Sequence, residues 1–310
     1  MDWTAEITAA AARIAPYIRR TPVMQASLAG LDHPLQLKLE QTQHTGSFKA
    51  RGAFNSLLSL PVQAAGVVAA SGGNHGAAVA FAAHALGHRA KVFVPEFAGP
   101  AKIGLIRRSG ADLTVVPGVY DTALAAARAH EAETGAMQIH AYDAPATVAG
   151  QGTLFAEWED QGLSADTILI AVGGGGLIGG ALAWFGGRRR VVAVEPFNAP
   201  TLHQALQHGP ETLVDVSGVA ANALGSKKIG RIGYDLARAA DVTSVLVSDD
   251  AILAAQAVLW RELRQWVEPG GATALAALLS GAYRAAPGEK VAVLVCGANP
   301  APDPLSETSH

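Results

Sequence analysis

The chain has 310 residues, half of them apolar, with 23 basic against 26 acidic side chains and a net charge of −3. That length supports one large domain or two smaller ones with real cores, and the lack of a basic stripe excludes nucleic acid and anionic membranes as expected partners. A single cysteine, Cys296, excludes an internal disulfide and points to a reducing, cytoplasmic setting.

The N-terminal segment MDWTAEITAAAARIAPYIRRTP starts acidic and is interrupted by Arg13 and Pro16. It predicts an amphipathic helix rather than a signal peptide, and no later stretch has the uncharged length of a membrane span. Next comes EQTQHTGSFKARGAFNSLLSL, residues 40–60, with Lys49 at a loop-to-helix junction behind Thr45, Gly46 and Ser47. Most single lysines only decorate a surface. One whose surroundings depress its pKa can form a Schiff base or carry a proton.

From about residue 66, β-type and alanine-rich helical runs alternate. GVVAAS precedes HGAAVAFAAHALG, AKVFVP precedes GPAKIGLIRRSG, and ADLTVVP precedes YDTALAAARAHEAETG. Farther on, DTILIAV leads into GLIGGALAWFGG. RRVVAVEP and EKVAVLVCGANP are further strands, and TSVLV feeds the helix DDAILAAQAVLWRELRQW, for which Asp249 or Asp250 suits the N-cap. Strands apolar throughout are buried on both faces, so the fold class is α/β with doubly wound sheets, and about nine strands suit two domains. No linker marks a boundary. The expected division is a small domain at 66–140 inserted into a large one of 1–65 plus 141–310, with the tail PAPDPLSETSH disordered.

Three loops carry chemistry. In ILIAVGGGGLIGGALAW, Gly173, Gly174, Gly175 and Gly176 follow a strand and open a helix, where glycine lets main-chain N–H groups approach a phosphate. Gly174, Gly176 and Gly179 also spell G-x-G-x-x-G, with Glu195 lying 21 residues beyond Gly174, so an NAD-dependent oxidoreductase fits this segment alone. In VVAASGGNHGAAVAFAA, Ser71, Gly72, Gly73, Asn74 and His75 offer donors for a small carboxylate, or simply a helix capped by Asn74. Cys296 ends the strand KVAVLVC, where a lone cysteine is ordinarily a small buried hydrophobe. His84 and His88 lack supporting carboxylates, and Glu157, Glu159 and Asp160 look like a wet helix face. Arg188 to Arg190 read as a solvated turn.

TGSFKARGA, SGGNHG, VGGGGLIGG, VEPFNA, WVEPGGA and CGAN, in this order along nearly the whole chain, resemble the serine/threonine dehydratase group of pyridoxal-phosphate (PLP) enzymes. That is the tryptophan-synthase-β-like, fold type II family that also holds serine racemases. The resemblance implies two α/β domains with the active site between them and displaces the NAD reading. It implies that Lys49 binds PLP as a Schiff base with Phe48 packed beside the ring. Asn74 meets the ring 3′-oxygen, Gly173 to Gly176 with Leu177 wrap the phosphate, and Cys296 faces the pyridine nitrogen. Ser71, Gly72, Asn74 and His75 hold the substrate, and Glu268 lines the site.

The expected activity is β-elimination of L-threonine or L-serine to a 2-oxo acid and ammonia. The alternatives are a lyase for another 3-hydroxy amino acid such as 3-hydroxyaspartate, and a serine racemase. Racemisation is expected to be feeble, because Gly72 stands where racemases carry a second serine. Some relatives bind a divalent cation; Glu195 and Ala199 match that pattern, but Thr201 replaces its aspartate, so no metal ligand is assigned. The expected partners are a small amino-acid substrate and further copies of the chain, and no C-terminal regulatory domain is expected.

Overall fold

A computed structural model describes residues 1–98, 100–118 and 120–299, so the tail PAPDPLSETSH lies outside the described residues. In chain order, α1 (Trp3–Ile14) precedes β1 (Val23–Ala26), β2 (Leu35–Leu39) and α2 (Lys49–Ser59). A βα run follows: β3 (Val67–Ala70), α3 (Asn74–Ala85), β4 (Ala90–Pro95), α4 (Pro100–Arg108), β5 (Asp112–Val116), α5 (Tyr120–Thr134) and β6 (Met137–Gln138). Then come α6 (Pro145–Asp160), β7 (Thr167–Ala171), α7 (Gly176–Phe185), β8 (Arg190–Pro196), α8 (Thr201–His208) and α9 (Ala221–Leu224). The chain continues through α10 (Arg231–Ala239), β9 (Thr243–Val247), α11 (Asp249–Leu263), α12 (Pro269–Leu279) and β10 (Val291–Val295).

The strands form two sheets, as an α/β chain rich in βα units predicts. The larger has the order β1-β2-β10-β7-β8-β9 and the smaller β5-β4-β3-β6. Every pairing is parallel except β1 with β2. The central strands TILIA and VAVLV are buried at every position, because helices cover both faces of the sheet. In the smaller sheet the side chains of β3 alternate faces. Val67 and Ala69 pack with α2 and α3, while Val68 and Ala70 pack with Ala123 and Ala127 of α5. The four strands of this sheet fall within residues 66–140, and α2, outside that range, shares their core through Ala53, Phe54 and Leu57. Among the described residues no helix is long and apolar enough to cross a membrane.

Two sequence expectations fail for identifiable reasons. The N-cap of α11 is Ser248, whose hydroxyl accepts the Ala251 N–H, and Asp249 and Asp250 occupy the first turn, where their charge suits the helix dipole. Glu157 does not lie on a wet face. It belongs to a buried ionic cluster that joins β2, α2 and α6, while Glu159 and Asp160 nearby do reach solvent. Lys38 donates to Glu157 at 2.6 Å, to Gln161 at 2.6 Å and to the Thr21 carbonyl at 2.9 Å. Arg51 clasps Glu40 through Nε at 2.5 Å and Nη2 at 3.1 Å, and reaches Glu157 at 2.9 Å. Burial alone would raise Glu157, but Arg51 and Lys38 hold its carboxyl below the usual range.

Two cations against two carboxylates leave the cluster neutral, and removing one member strands a charge in the interior. Glu40→Ala is expected to cost about 3–5 kcal/mol in urea unfolding. Arg20→Ala, at an exposed pair with Asp160, should cost less than about 1 kcal/mol. Equal losses would refute the assignment of the cluster as a keystone.

Candidate active site

The site forms where the C-terminal ends of β3, β7 and β10 meet the turn preceding α2. That turn is strained: Thr45, a β-branched residue, has φ 59°. It is held from the far end of the chain. Asn299 donates to the Thr45 carbonyl at 2.6 Å, the Ala298 N–H to the Gly46 carbonyl at 2.8 Å, and the Phe48 N–H to the Cys296 carbonyl at 3.2 Å. An isolated antiparallel bridge pairs Ser47 with Gly297. Lys49, the first residue of α2, is thereby fixed beside the end of β10.

Lys49 Nζ donates to the Ala141 carbonyl at 2.8 Å and lies 5.0 Å from the centre of the Phe48 ring. Removal from water lowers its pKa from 10.5 to about 8, although Cys296 and Glu268 pull the other way. The Cys296 thiol is pushed up by burial and by the nearby Glu268 carboxylate, so it stays protonated and contacts the Gly270 carbonyl at 3.5 Å. Glu268 is buried at the start of α12 and accepts from Asn74 Nδ2 at 2.6 Å. Asn299 donates to Asn74 Oδ1 at 2.8 Å, which fixes which way that amide faces.

The glycine loop is shaped by its neighbours. A Cβ on Gly174 would lie 2.3 Å from the Tyr142 ring, one on Gly176 2.8 Å from Tyr142 Cα, and one on Gly173 3.0 Å from Leu224 Cα. Gly175, at φ 94°, is the left-handed residue that turns the chain into α7. Only a loop without side chains fits this wedge, and the first N–H groups of α7 at Gly176 and Leu177 have no carbonyl a turn earlier to bond. The residue before Tyr142 is Ala141, the acceptor of Lys49, so one short segment joins the amine to the loop. A proton-poor amine and an anion-binding main chain, linked in this way, fit an aldehyde that carries a phosphate.

The remaining predicted residues divide. Ser71 lies in the turn before α3, with its hydroxyl accepting the Gly73 N–H at 3.2 Å, and Asn74 opens α3 rather than capping it. His75 is buried, and its Nε2 meets the Ile139 carbonyl at 2.9 Å. Burial and the Lys49 charge lower His75 to about 3, so its ring is neutral and holds the strand that leads to Ala141. A Cβ on Gly72 would sit 2.4 Å from the Ala98 methyl, so Ala98 fills the space a side chain would need. Sequence reading missed Tyr142 and Asn299. The only available signal was that Asn299 closes the motif CGAN; nothing local marks Tyr142.

Glu195 is held by the main chain at the start of α8. Its carboxylate is buried at the N-terminus of α8 and accepts from the N–H groups of Leu202 at 2.7 Å and His203 at 2.8 Å. Burial raises it to about 8 despite these bonds. Thr201 Oγ donates to the Ser226 carbonyl at 2.6 Å. Each oxygen of Glu195 thus accepts a main-chain N–H, and position 201, where the cation-binding pattern has an aspartate, offers a hydroxyl bonded elsewhere and no second carboxylate. Among the described residues no group of three or more His, Cys, Asp or Glu is placed to hold a metal.

Comparison with known proteins agrees with this geometry. Residues 14–297 match the family described as pyridoxal-phosphate dependent enzyme, and the chain belongs to that family. It is 35% identical over 297 residues to a phenylserine dehydratase of Ralstonia pickettii, covering 93% of this chain and 90% of the relative. It is 36% identical over 292 residues to an L-threonine ammonia-lyase of Geobacter sulfurreducens, covering 92% and 73%. Among solved structures, maize serine racemase superposes with a TM-score of 0.89 at 33% identity, covering 96% of this chain and 93% of that one. The fold is therefore the tryptophan-synthase-β-like one, and the cofactor is PLP.

Because only the neutral amine adds to an aldehyde, the rate at which the apoprotein takes up PLP should rise by about tenfold per pH unit below 8 and level off above it. Stopped-flow visible absorbance between pH 6 and 9 reads this directly, with Lys49→Ala as the blank. A flat profile would contradict a depressed Lys49.

Proposed function

We propose that the chain is a PLP-dependent dehydratase that removes the β-hydroxyl of L-threonine and L-serine, giving a 2-oxo acid and ammonia. The observation that carries the reading is Lys49 Nζ, half-buried, lowered to about 8 and tied through Ala141 to the segment that shapes the glycine loop. PLP, when bound, supplies a conjugated electron sink that acidifies the substrate Cα–H.

The chain's own residues divide the remaining work. Gly173 to Gly176 and Leu177 would bind the phosphate through main-chain N–H groups, and Phe48 would pack beside the ring. Asn74 has one amide N–H on Glu268 and the other free for the ring 3′-oxygen. Ser71, with the main chain around Gly72, holds the substrate carboxylate, and His75 positions rather than touches it. Lys49, once its amine is free, takes the Cα proton. Cys296, a neutral thiol, would face the pyridine nitrogen without the charge a carboxylate would use to hold a proton there. Glu268 lines the site and orients Asn74. An inserted domain at about 66–140 is consistent with the strands of the smaller sheet falling in that range, and the chain acts as a soluble cytoplasmic homo-oligomer on a small amino acid.

Gly72 argues against racemisation, which needs a proton donor on the face opposite Lys49. Glycine has no proton to give, and Ala98 closes the space. Serine racemisation should therefore run about a hundredfold or more below elimination.

A panel of L-threonine, L-serine, 3-hydroxyaspartate and phenylserine, read by 2-oxo acid release, should give turnover with the first two that Lys49→Ala abolishes. Turnover with only the last two would replace the substrate assignment, and none with any would defeat the reaction class. Since Thr201 supplies no second carboxylate beside Glu195, exhaustive chelation should leave turnover unchanged. A loss restored by magnesium would overturn that assignment.

A further inference from the structure

Residues 225–230, between α9 and α10, lie in no helix or strand, yet they pack directly against the glycine loop. The Gly230 N–H donates to the Gly174 carbonyl at 3.0 Å, and a Cβ on Gly175 would lie 2.8 Å from Ile229 Cδ1. The Tyr142 ring fills the slot between the two segments. A Cβ on Gly174 would come within 2.3 Å of Tyr142 Cδ1, and one on Gly230 within 2.9 Å of Cδ2, so the ring turns one edge to each.

A segment with no ladder of its own opens locally unless other groups hold it. Here hydroxyls do so. Thr201, fully buried at the start of α8, donates to the Ser226 carbonyl at 2.6 Å. Ser226 Oγ donates to the Lys228 carbonyl at 2.6 Å and lies 3.2 Å from the Tyr142 hydroxyl, which is itself 3.5 Å from the Lys228 carbonyl. The start of α8 is in turn fixed to β8, because Glu195 accepts the Leu202 and His203 N–H groups. A line of bonds therefore runs from a core strand through Thr201 and Ser226 to Tyr142, and the Tyr142 ring delivers it to the glycine loop. The next residue strengthens this end: Asp143 Oδ1 accepts the Ile232 N–H at 2.9 Å and so ties the same short segment to the start of α10.

Main-chain donors grip an anion well only when their directions are set beforehand, since each group ordered at the moment of binding costs affinity. Four consecutive glycines have the greatest backbone freedom of any sequence, so that fixity has to come from their neighbours. We propose that Thr201, Ser226 and Tyr142 form a hydroxyl brace that preorganises the glycine loop for the 5′-phosphate of the cofactor. All three are positioning residues, acting through the loop. The proposal rests on the reading in which Gly173 to Leu177 hold the phosphate, and it is independent of which hydroxy amino acid is dehydrated.

PLP and pyridoxal, the same aldehyde with and without the phosphate, separate the loop from the rest of the site. Titrated into the apoprotein and followed by visible absorbance, PLP should bind the native chain about a hundredfold or more tighter than pyridoxal. Thr201→Val and Tyr142→Phe should each weaken PLP about three- to tenfold and leave pyridoxal within about twofold. Thr201→Ser, which keeps the hydroxyl, should restore the native value. Two links of one brace should not multiply, so the double variant should lose no more than the weaker-binding single. A native chain that binds both aldehydes alike would sink the phosphate assignment and the brace together. With the native preference present, variants that keep it, or that lose PLP and pyridoxal equally, would sink the brace alone. Losses that multiply would replace it with two separate contacts. Tyr142→Phe leaves the ring in its slot, so the test stands even if Thr201→Val does not fold.

Discussion

Everything at this site depends on a few main-chain hydrogen bonds between stretches about 250 residues apart. The bridge of Ser47 with Gly297, the Phe48 N–H on the Cys296 carbonyl and the Ala298 N–H on the Gly46 carbonyl bind the start of α2 to the end of β10. They set an amine, a thiol and, through Asn299, the amide of Asn74 into one cluster. They also hold a β-branched residue at positive φ, a conformation a free turn would leave. The strain is confined to the one turn that aims the lysine.

Electrostatics separates structure from chemistry in this molecule. In the cluster of Lys38, Glu40, Arg51 and Glu157 every buried charge has a bonded counterpart, and the result is rigidity under α2. Lys49, two residues from Arg51 on the same helix, has a carbonyl and an aromatic face for company and no bonded carboxylate. The balanced groups anchor the helix. The unbalanced one is left able to lose its proton near neutral pH.

What the sequence made legible was local. Lys49 sits in a short motif at a helix start; Asn74, the four glycines and Cys296 each sit in one next to a strand end, and the structure draws them together as the order of motifs implied. What it hid was nonlocal. Glu157 looks wet because its neighbours Glu159 and Asp160 are, and its partners Lys38 and Arg51 come from over a hundred residues away. β2 went unseen because Lys38 breaks its apolar run and Glu40 follows at once, charges that make sense only inside the cluster. Tyr142 shapes the glycine loop by contact alone, and no spacing rule finds it. Glu195 stands at the right distance for a ribose acid, yet the chain folds α8 back onto it.

The parallel strands share a direction, so the functional loops gather at one rim: Ser71 to Asn74 after β3, Gly173 to Gly176 after β7, Cys296 after β10. The opposite rim is made of short turns, and a methyl group added at Gly87, Gly162, Gly187 or Gly288 would meet nothing within 4 Å. Those turns carry no part of the chemistry and have open solvent around them. They are where an insertion, a fluorescent reporter or a tethered second enzyme could be spliced into the backbone with the reacting end left undisturbed.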